Sequence, residues 1–160
     1  MSWPEPVERV AVFLRAAGAE ARLEEFAADT STAQAAAEAI GCRLDQIVKS
    51  LVLVCGTQSV MALVPGSRRA DPVKVALAAG ADSARVARPP EVVTATGLAP
   101  GAVSPLPPPA GVQILIERTI LSSTVVWVGA GTERHLAMLS PVELVRLTRG
   151  RTVDIVQESA

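Results

Sequence analysis

The strongest constraint on the fold is a lysine inside an apolar segment, residues 45–54, with the sequence DQIVKSLVLV. If this segment is a strand with a period of two, one face carries Ile47, Lys49, Leu51 and Leu53, and the other carries Val48, Ser50, Val52 and Val54. An ammonium group buried among such neighbours is unfavourable unless a partner compensates its charge. Lys49 therefore either reaches solvent from a strand end or meets an anionic or carbonyl-bearing ligand.

Lysine is rare in this chain, which has two lysines and thirteen arginines. Arginine offers a planar fork of donors, whereas lysine offers a compact point charge. The choice of lysine within an apolar strand therefore favours a functional role for the Lys49 ammonium.

The composition predicts a globular fold with an aliphatic core. The 160 residues are 49% hydrophobic but only 2% aromatic, so Val, Leu, Ile and Ala must fill the core. We expect one domain over residues 1–160, with an N-terminal helix within residues 1–20. The net charge of −1 argues against the broad basic field that drives nonspecific DNA binding. Any contact with nucleic acid is therefore expected to be local.

Metal, cofactor and membrane functions are not indicated. Cys42 and Cys55 are too few for a ligand cluster and His135 is the only histidine, so we expect neither a metal nor another cofactor. The N-terminus shows no secretory signal, and the longest uncharged stretch, 92–116, contains five prolines and three glycines. We therefore expect a cytoplasmic protein with reduced thiols that contacts neither a membrane nor DNA.

Periodicity and capping residues predict an irregular mixture of helices and strands. Helices are predicted over 4–17, 31–40 with Ser31 in the cap, 71–80, 89–96 and 140–150. Strands are predicted over 21–26, 45–54, 59–64, 84–87, 112–117, 124–128, 135–139 and 152–156. This order excludes a regular βαβ repeat, and tight turns join several strand pairs. The expected fold class is α+β with a mixed, largely antiparallel sheet.

Few residues offer catalytic chemistry. No nucleophile elbow or P-loop occurs, and the glycines of 129–131 are followed by a strand rather than a helix. Lys49, His135 and the loop 101–105 remain. The Gly101 N–H could hold a carbonyl oxygen or an oxyanion, or the glycine could only relieve strain in a proline-rich connector. His135 after a turn is more often a hydrogen-bonded structural residue than a catalytic one.

Four motifs together resemble the YbaK/EbsC family, the free-standing relatives of the editing domain in bacterial prolyl-tRNA synthetases. They are QIVKSL at 46–51, ALVPG at 62–66, TG at 96–97 with PGAVSP at 100–105, and VGAG at 128–131. The similarity runs over residues 21–155 in the right order and spacing. It implies a curved or barrel-like sheet flanked by helices.

The resemblance also implies an activity, namely hydrolysis of the ester of a mischarged aminoacyl-tRNA, typically tRNA for proline carrying a small wrong amino acid. A hydroxyl of the terminal ribose assists the attacking water, Lys49 is essential, and Gly101 positions the carbonyl region of the substrate. The implied substrate-binding residues are Ser50, Gly97, Ser104, Pro105, Gly129 and His135. The implied partners are the acceptor end of aminoacyl-tRNA and a prolyl-tRNA synthetase.

Two other functions stay open. One is a non-catalytic module of the same fold that binds tRNA ends or a synthetase, although such a module would not need Lys49 and Gly101. The other is a small-molecule hydrolase that does not use RNA. If RNA is bound, the expected contacts are the arginines Arg68, Arg69, Arg85, Arg88 and Arg134.

Overall fold

Helices and strands follow one another irregularly in the computed structural model, which describes residues 2–158. Within that range the α-helices are α1 (Glu5–Ala16), α2 (Ala33–Ile40), α3 (Pro72–Ala79), α4 (Pro89–Thr96) and α5 (Pro141–Thr148). The strands are β1 (Ala21–Glu25), β2 (Val48–Cys55), β3 (Gln58–Pro65), β4 (Arg85–Val86), β5 (Gln113–Glu117), β6 (Val126–Gly129), β7 (His135–Leu139) and β8 (Arg151–Val153). Short 3-10 helices cover Leu44–Gln46, Pro100–Ala102 and Arg118–Ser122.

The strands form two sheets. One has the order β1-β7-β6 and the other has the order β4-β2-β3-β5-β8. All pairs are antiparallel except β3 with β5 and β5 with β8, which are parallel. A single parallel bridge between Ile47 and Trp127 joins the sheets. The predicted α+β class with a mixed, largely antiparallel sheet is confirmed, as two joined sheets and not one closed barrel.

The lysine strand is the first half of the β2–β3 hairpin, in which Lys49 faces Val64 of β3. Its alternation follows the sequence, since Val48 and Val52 belong to the largest core cluster and Leu53 belongs to the cluster on the other face of the sheet. The strand starts later than predicted, because Leu44–Gln46 form a 3-10 helix before it.

Two predicted helix ends differ in the structure. The side chain that caps α2 is Thr32, whose hydroxyl accepts a hydrogen bond from Ala35 N–H at 3.1 Å, and not Ser31. Helix α5 ends at Thr148 and is capped by Arg149, which takes a left-handed φ of 55°, and not by Gly150. Gly150 is required for a different reason, because a Cβ there would lie 2.6 Å from Ile116 Cδ1.

A fully buried carboxylate shapes the C-terminal part of the fold. Glu117, with 0% exposure, accepts hydrogen bonds from Thr119 N–H at 2.8 Å and from Ile155 N–H at 3.0 Å. Because Ile155 N–H donates to this side chain, it does not extend the sheet ladder. The last strand is therefore Arg151–Val153 and not the predicted 152–156.

Candidate functional site

A cavity of about 300 Å³ opens between the start of β2, the N-terminal end of α2 and the loop that follows α4. It is lined by Thr30, Ser31, Thr32, Ala33, Ala36, Ile47, Val48, Lys49, Ser50, Leu51, Pro100, Gly101, Val103, Trp127, Gly129, Thr132 and Leu136. We call it the β2 cavity. It therefore brings Lys49 and Gly101, which are distant in the sequence, into one concave site.

An open edge of β2 forms part of this cavity. Strand β4 pairs with β2 only at Leu53 and Val54, and Ala87 N–H donates to Val52 O at 2.9 Å. Val52 O thus points to the β4 side of the strand, and by the alternation of strand hydrogen bonds the N–H and C=O of Ser50 point the same way. There β4 has ended, so these two backbone groups face the β2 cavity.

Lys49 is half-buried in the wall of the β2 cavity. Its Nζ donates a hydrogen bond to Arg68 O at 2.6 Å. Burial, and secondly the positive charge of Arg69, lower the pKa of Lys49 below that of an ordinary lysine. The backbone carbonyl fixes the direction of the Lys49 side chain without neutralising its charge.

Gly101 lies in the 3-10 helix Pro100–Ala102, opposite the start of α2. A Cβ at this position would lie 3.1 Å from Ser31 Cβ and 3.5 Å from Glu133 Oε1. The space beside Gly101 is therefore slightly smaller than a methyl group needs, so that an alanine here would require a small shift of its neighbours.

Gly129 allows the same loop to lie against β6. A Cβ on Gly129 would overlap the carbonyl oxygen of Val103, which belongs to the loop and lines the β2 cavity. The position of the loop wall thus depends on a glycine in the strand beneath it.

The lining of the β2 cavity contains both hydroxyl groups and apolar side chains. Thr30 is held by the backbone, since its N–H and Oγ1 both donate to Glu133 O, at 2.7 and 3.0 Å. Ser50 Oγ is buried and has no hydrogen-bond partner within residues 2–158. Among the apolar lining residues, Ile47, Trp127 and Leu136 belong to one core cluster.

Sequence reasoning missed most of these hydroxyl residues. Of the run Thr30-Ser31-Thr32 before α2, only Ser31 has a predicted role, as a helix cap, whereas all three residues line the β2 cavity. One helix cap requires only one hydroxyl side chain. The run of three hydroxyl residues was therefore the signal in the sequence for a role beyond capping.

Four predicted substrate-binding residues lie outside the β2 cavity. Gly97 ends α4 with a φ of 75° and is exposed. Ser104 is buried, where its Oγ donates to Leu106 O at 2.9 Å and accepts from Leu106 N–H at 3.1 Å. Pro105 is buried beside it. These residues shape the loop and do not line the β2 cavity.

His135, the fourth of these, is buried behind the cavity wall. Its Nδ1 is hydrogen-bonded to the hydroxyl of Thr132, which does line the cavity, and its ring packs edge-on against Trp3. His135 Nε2 has no hydrogen-bond partner within residues 2–158 and lies 3.9 Å from Glu25 Oε1. Burial is the main cause that lowers the pKa of His135. The histidine thus touches the site only through Thr132.

The described range 2–158 contains no group of three or more His, Cys, Asp or Glu residues placed to hold a metal ion. None of its helices combines the length and apolar character needed to cross a bilayer.

Comparisons with known proteins agree with this geometry. The model of the family described as aminoacyl-tRNA editing domain matches residues 27–147. The proline–tRNA ligase of Stenotrophomonas maltophilia (strain R551-3) is 30% identical over 128 residues, which make up 77% of this chain and 23% of that protein. The chain thus spans less than a quarter of the length of the curated relatives that it matches.

Solved structures match over nearly the whole chain. One, a candidate trans-editing enzyme for prolyl-tRNA synthetase, has a TM-score of 0.89 and 33% identity and covers 98% of this chain and 100% of that one. A hypothetical protein has a TM-score of 0.86 and 32% identity and covers 93% of this chain and 99% of that one. These findings confirm the resemblance predicted from the motifs, and the chain belongs to the aminoacyl-tRNA editing domain family.

Proposed function

We propose that residues 1–160 form one domain that hydrolyses mischarged aminoacyl-tRNA in trans, in the cytoplasm. The proposed substrate is tRNA for proline carrying a small wrong amino acid, and a prolyl-tRNA synthetase is the proposed partner. One observation carries the proposal: Lys49 and Gly101, the two residues on which the activity would depend, line the same cavity. Membership of the editing-domain family and the likeness to a candidate trans-editing enzyme support it.

The size of the β2 cavity suits an aminoacyl group. At about 300 Å³ it lies at the lower end of the range of roughly 300–1,000 Å³ for small-molecule sites. Its apolar lining residues can take an aliphatic side chain, and its hydroxyl groups can take the α-amino group. Such a site discriminates only weakly between amino acids that differ by one methylene group.

The chemistry is addition of water to the ester carbonyl carbon, followed by cleavage of the bond to the ribose oxygen, which leaves as a hydroxyl. We propose that a hydroxyl of the terminal ribose orients the water and that the protein supplies donors for the developing oxyanion. The Gly101 N–H and the Lys49 Nζ are the proposed donors. Donors fixed in advance stabilise such charge without reorganisation, and Arg68 O fixes the direction of Lys49.

The deciding experiment is a deacylation assay with tRNA for proline charged with proline, alanine, serine, threonine or cysteine. We expect hydrolysis of at least one small wrong amino acid and protection of proline. A protein that binds these RNAs and hydrolyses none of them would instead be the non-catalytic binding module.

A further inference from the structure

A second polar cavity lies next to the β2 cavity. It has a volume of about 240 Å³ and is lined by Arg43, Asp45, Pro65, Ser67, Arg68, Thr119, Ser122 and Ser123. We call it the Arg68 cavity. These lining residues include two arginines and four hydroxyl residues against one aspartate, a set rich in donors and therefore suited to an anion.

The turn that carries Arg68 is fixed by backbone hydrogen bonds and close packing. Gly66 N–H donates to Ile47 O at 2.7 Å, and Arg68 N–H donates to Pro65 O at 3.0 Å. A Cβ on Gly66 would lie 2.6 Å from Leu44 O, so the turn packs directly on the 3-10 helix before β2. A site on such a turn holds its donors in place before a ligand arrives.

The two arginines of the Arg68 cavity are only partly engaged in hydrogen bonds and ion pairs within the chain. Asp45 is held by Arg43 Nε at 3.2 Å, which leaves the terminal nitrogens of Arg43 available. Arg68 donates through Nη2 to Gln157 O at 2.7 Å, a carbonyl that does not cancel its charge. Since a guanidinium has five N–H donors, both arginines keep donors for a ligand.

Two other arginines expected to contact RNA are compensated by carboxylates. Arg85 forms a two-point pair with Glu91, with both distances 2.8 Å. Arg134 pairs with Glu25 at 3.3 Å. Arg68 has no such ion pair within residues 2–158 and is therefore the better anion ligand.

The two cavities meet at one residue. The carbonyl of Arg68 accepts a hydrogen bond from Lys49, which lines the β2 cavity, and Arg68 is also one of the residues that line the neighbouring cavity. When the ester is bound beside Lys49, the nucleotides that carry this ester therefore lie next to the Arg68 cavity.

We propose that the Arg68 cavity binds a backbone phosphate of the 3′-terminal nucleotides of the aminoacyl-tRNA. This inference rests on the proposed function for the identity of the RNA. Phosphate contacts of this kind set register and orientation without reading bases. They would place the ester in the β2 cavity on any tRNA, and the choice of amino acid would remain with that cavity.

The test uses the full chain and an acceptor-stem RNA hairpin, with Arg68→Gln and Arg43→Gln compared with Arg15→Gln. Each variant removes one positive charge, and Arg68→Gln keeps the backbone carbonyl that accepts from Lys49. Arg15 is the control because it lines neither cavity. We expect Arg68→Gln to weaken hairpin binding about tenfold. It should also reduce the slope of log K against log salt by about one unit. Arg43→Gln should act in the same direction, and Arg15→Gln should bind as the wild type does.

The outcomes separate this inference from the proposed function. Equal binding by Arg68→Gln and Arg15→Gln would overturn the phosphate site, even if deacylation is observed. Loss of binding in Arg68→Gln but not in Arg15→Gln, in a protein that hydrolyses no aminoacyl-tRNA, would keep the phosphate site and refute the hydrolase. Inorganic phosphate alone should compete only at far higher concentration than the hairpin. Competition at equal concentration would assign the cavity to free phosphate and overturn the inference.

Discussion

Replacement of Lys49 by methionine tests the proposed mechanism most directly. Methionine keeps an unbranched apolar stem in the wall of the β2 cavity and removes both the Nζ charge and its 2.6 Å hydrogen bond to Arg68 O. Loss of one preorganised oxyanion donor typically lowers kcat by about 10²–10³, or roughly 2.7–4 kcal/mol. We expect a loss of that size in single-turnover deacylation.

The fold should tolerate this change. A hydrogen bond from a charged donor contributes about 1.5–3 kcal/mol, but the substitution also removes the desolvation cost of a half-buried cation. We therefore expect the free energy of unfolding to change by about 1 kcal/mol or less. Lys49→Arg should not restore the rate, because a planar fork does not replace a compact ammonium beside one carbonyl acceptor.

Lys74, the other lysine of the chain, provides a matched control. It pairs with Asp154 at 3.0 Å and lines neither the β2 cavity nor the Arg68 cavity. Lys74→Met should lose some stability and keep its deacylation rate. A cooperatively melting Lys49→Met protein whose rate stays within threefold of wild type would refute the role given to Lys49.

Three other predictions follow from the site. Gly101→Ala should reduce deacylation only mildly, because its Cβ would lie 3.1 Å from Ser31 Cβ, a contact that is only slightly too close. Gly101→Val, with a larger side chain, should abolish deacylation in a folded protein. An active Gly101→Val would contradict the proposed oxyanion contact. Gly129→Ala should lower the free energy of unfolding by about 1–3 kcal/mol, measured by denaturant titration, because its methyl group would displace the Val103 carbonyl. Because burial lowers the pKa of His135 below 6.5, the unfolded state binds more protons just below that pH, so stability should fall there as the pH drops. His135→Gln should flatten that part of the curve, and an unchanged slope would contradict this assignment.

Local features of the fold were predictable because they depend on neighbouring residues. The alternation around Lys49 separated the two faces of β2, and Asp71 with Pro72 and Gly80 marked both ends of α3. Where prediction failed, a distant group intervened. Glu117, for example, accepts a hydrogen bond from the N–H of Ile155, and the last strand is therefore shorter than predicted.

The cavity itself could not be predicted from local patterns. Nothing near Ser50 in the sequence shows that β4 ends beside it, since the pairing of β4 is decided by residues more than thirty positions later. The place of His135 behind Thr132 likewise depends on the β6–β7 turn and on Trp3, which packs against the ring from the N-terminus. Lys49 was singled out by the apolar strand around it, but only the family motifs placed Gly101 in the same site. The hydroxyl residues before α2 were missed because Ser31 alone was considered there, as a helix cap.

The position of the site follows from how the two sheets are joined. Ile47 bridges to Trp127 of the three-stranded sheet, while Val48 and the residues after it pair with β3 in the five-stranded sheet. Where β2 leaves one sheet for the other, its edge is open between Ile47 and Val52. An open strand edge exposes backbone donors and acceptors, and proteins usually cover or pair such an edge. Here helix α2 and the Gly101 loop enclose it, so the backbone groups of Ser50 lie inside a cavity. The proposed substrate ester would meet the Ser50 and Gly101 backbone and the Lys49 ammonium in this cavity, which suits the proposed ribose-assisted hydrolysis.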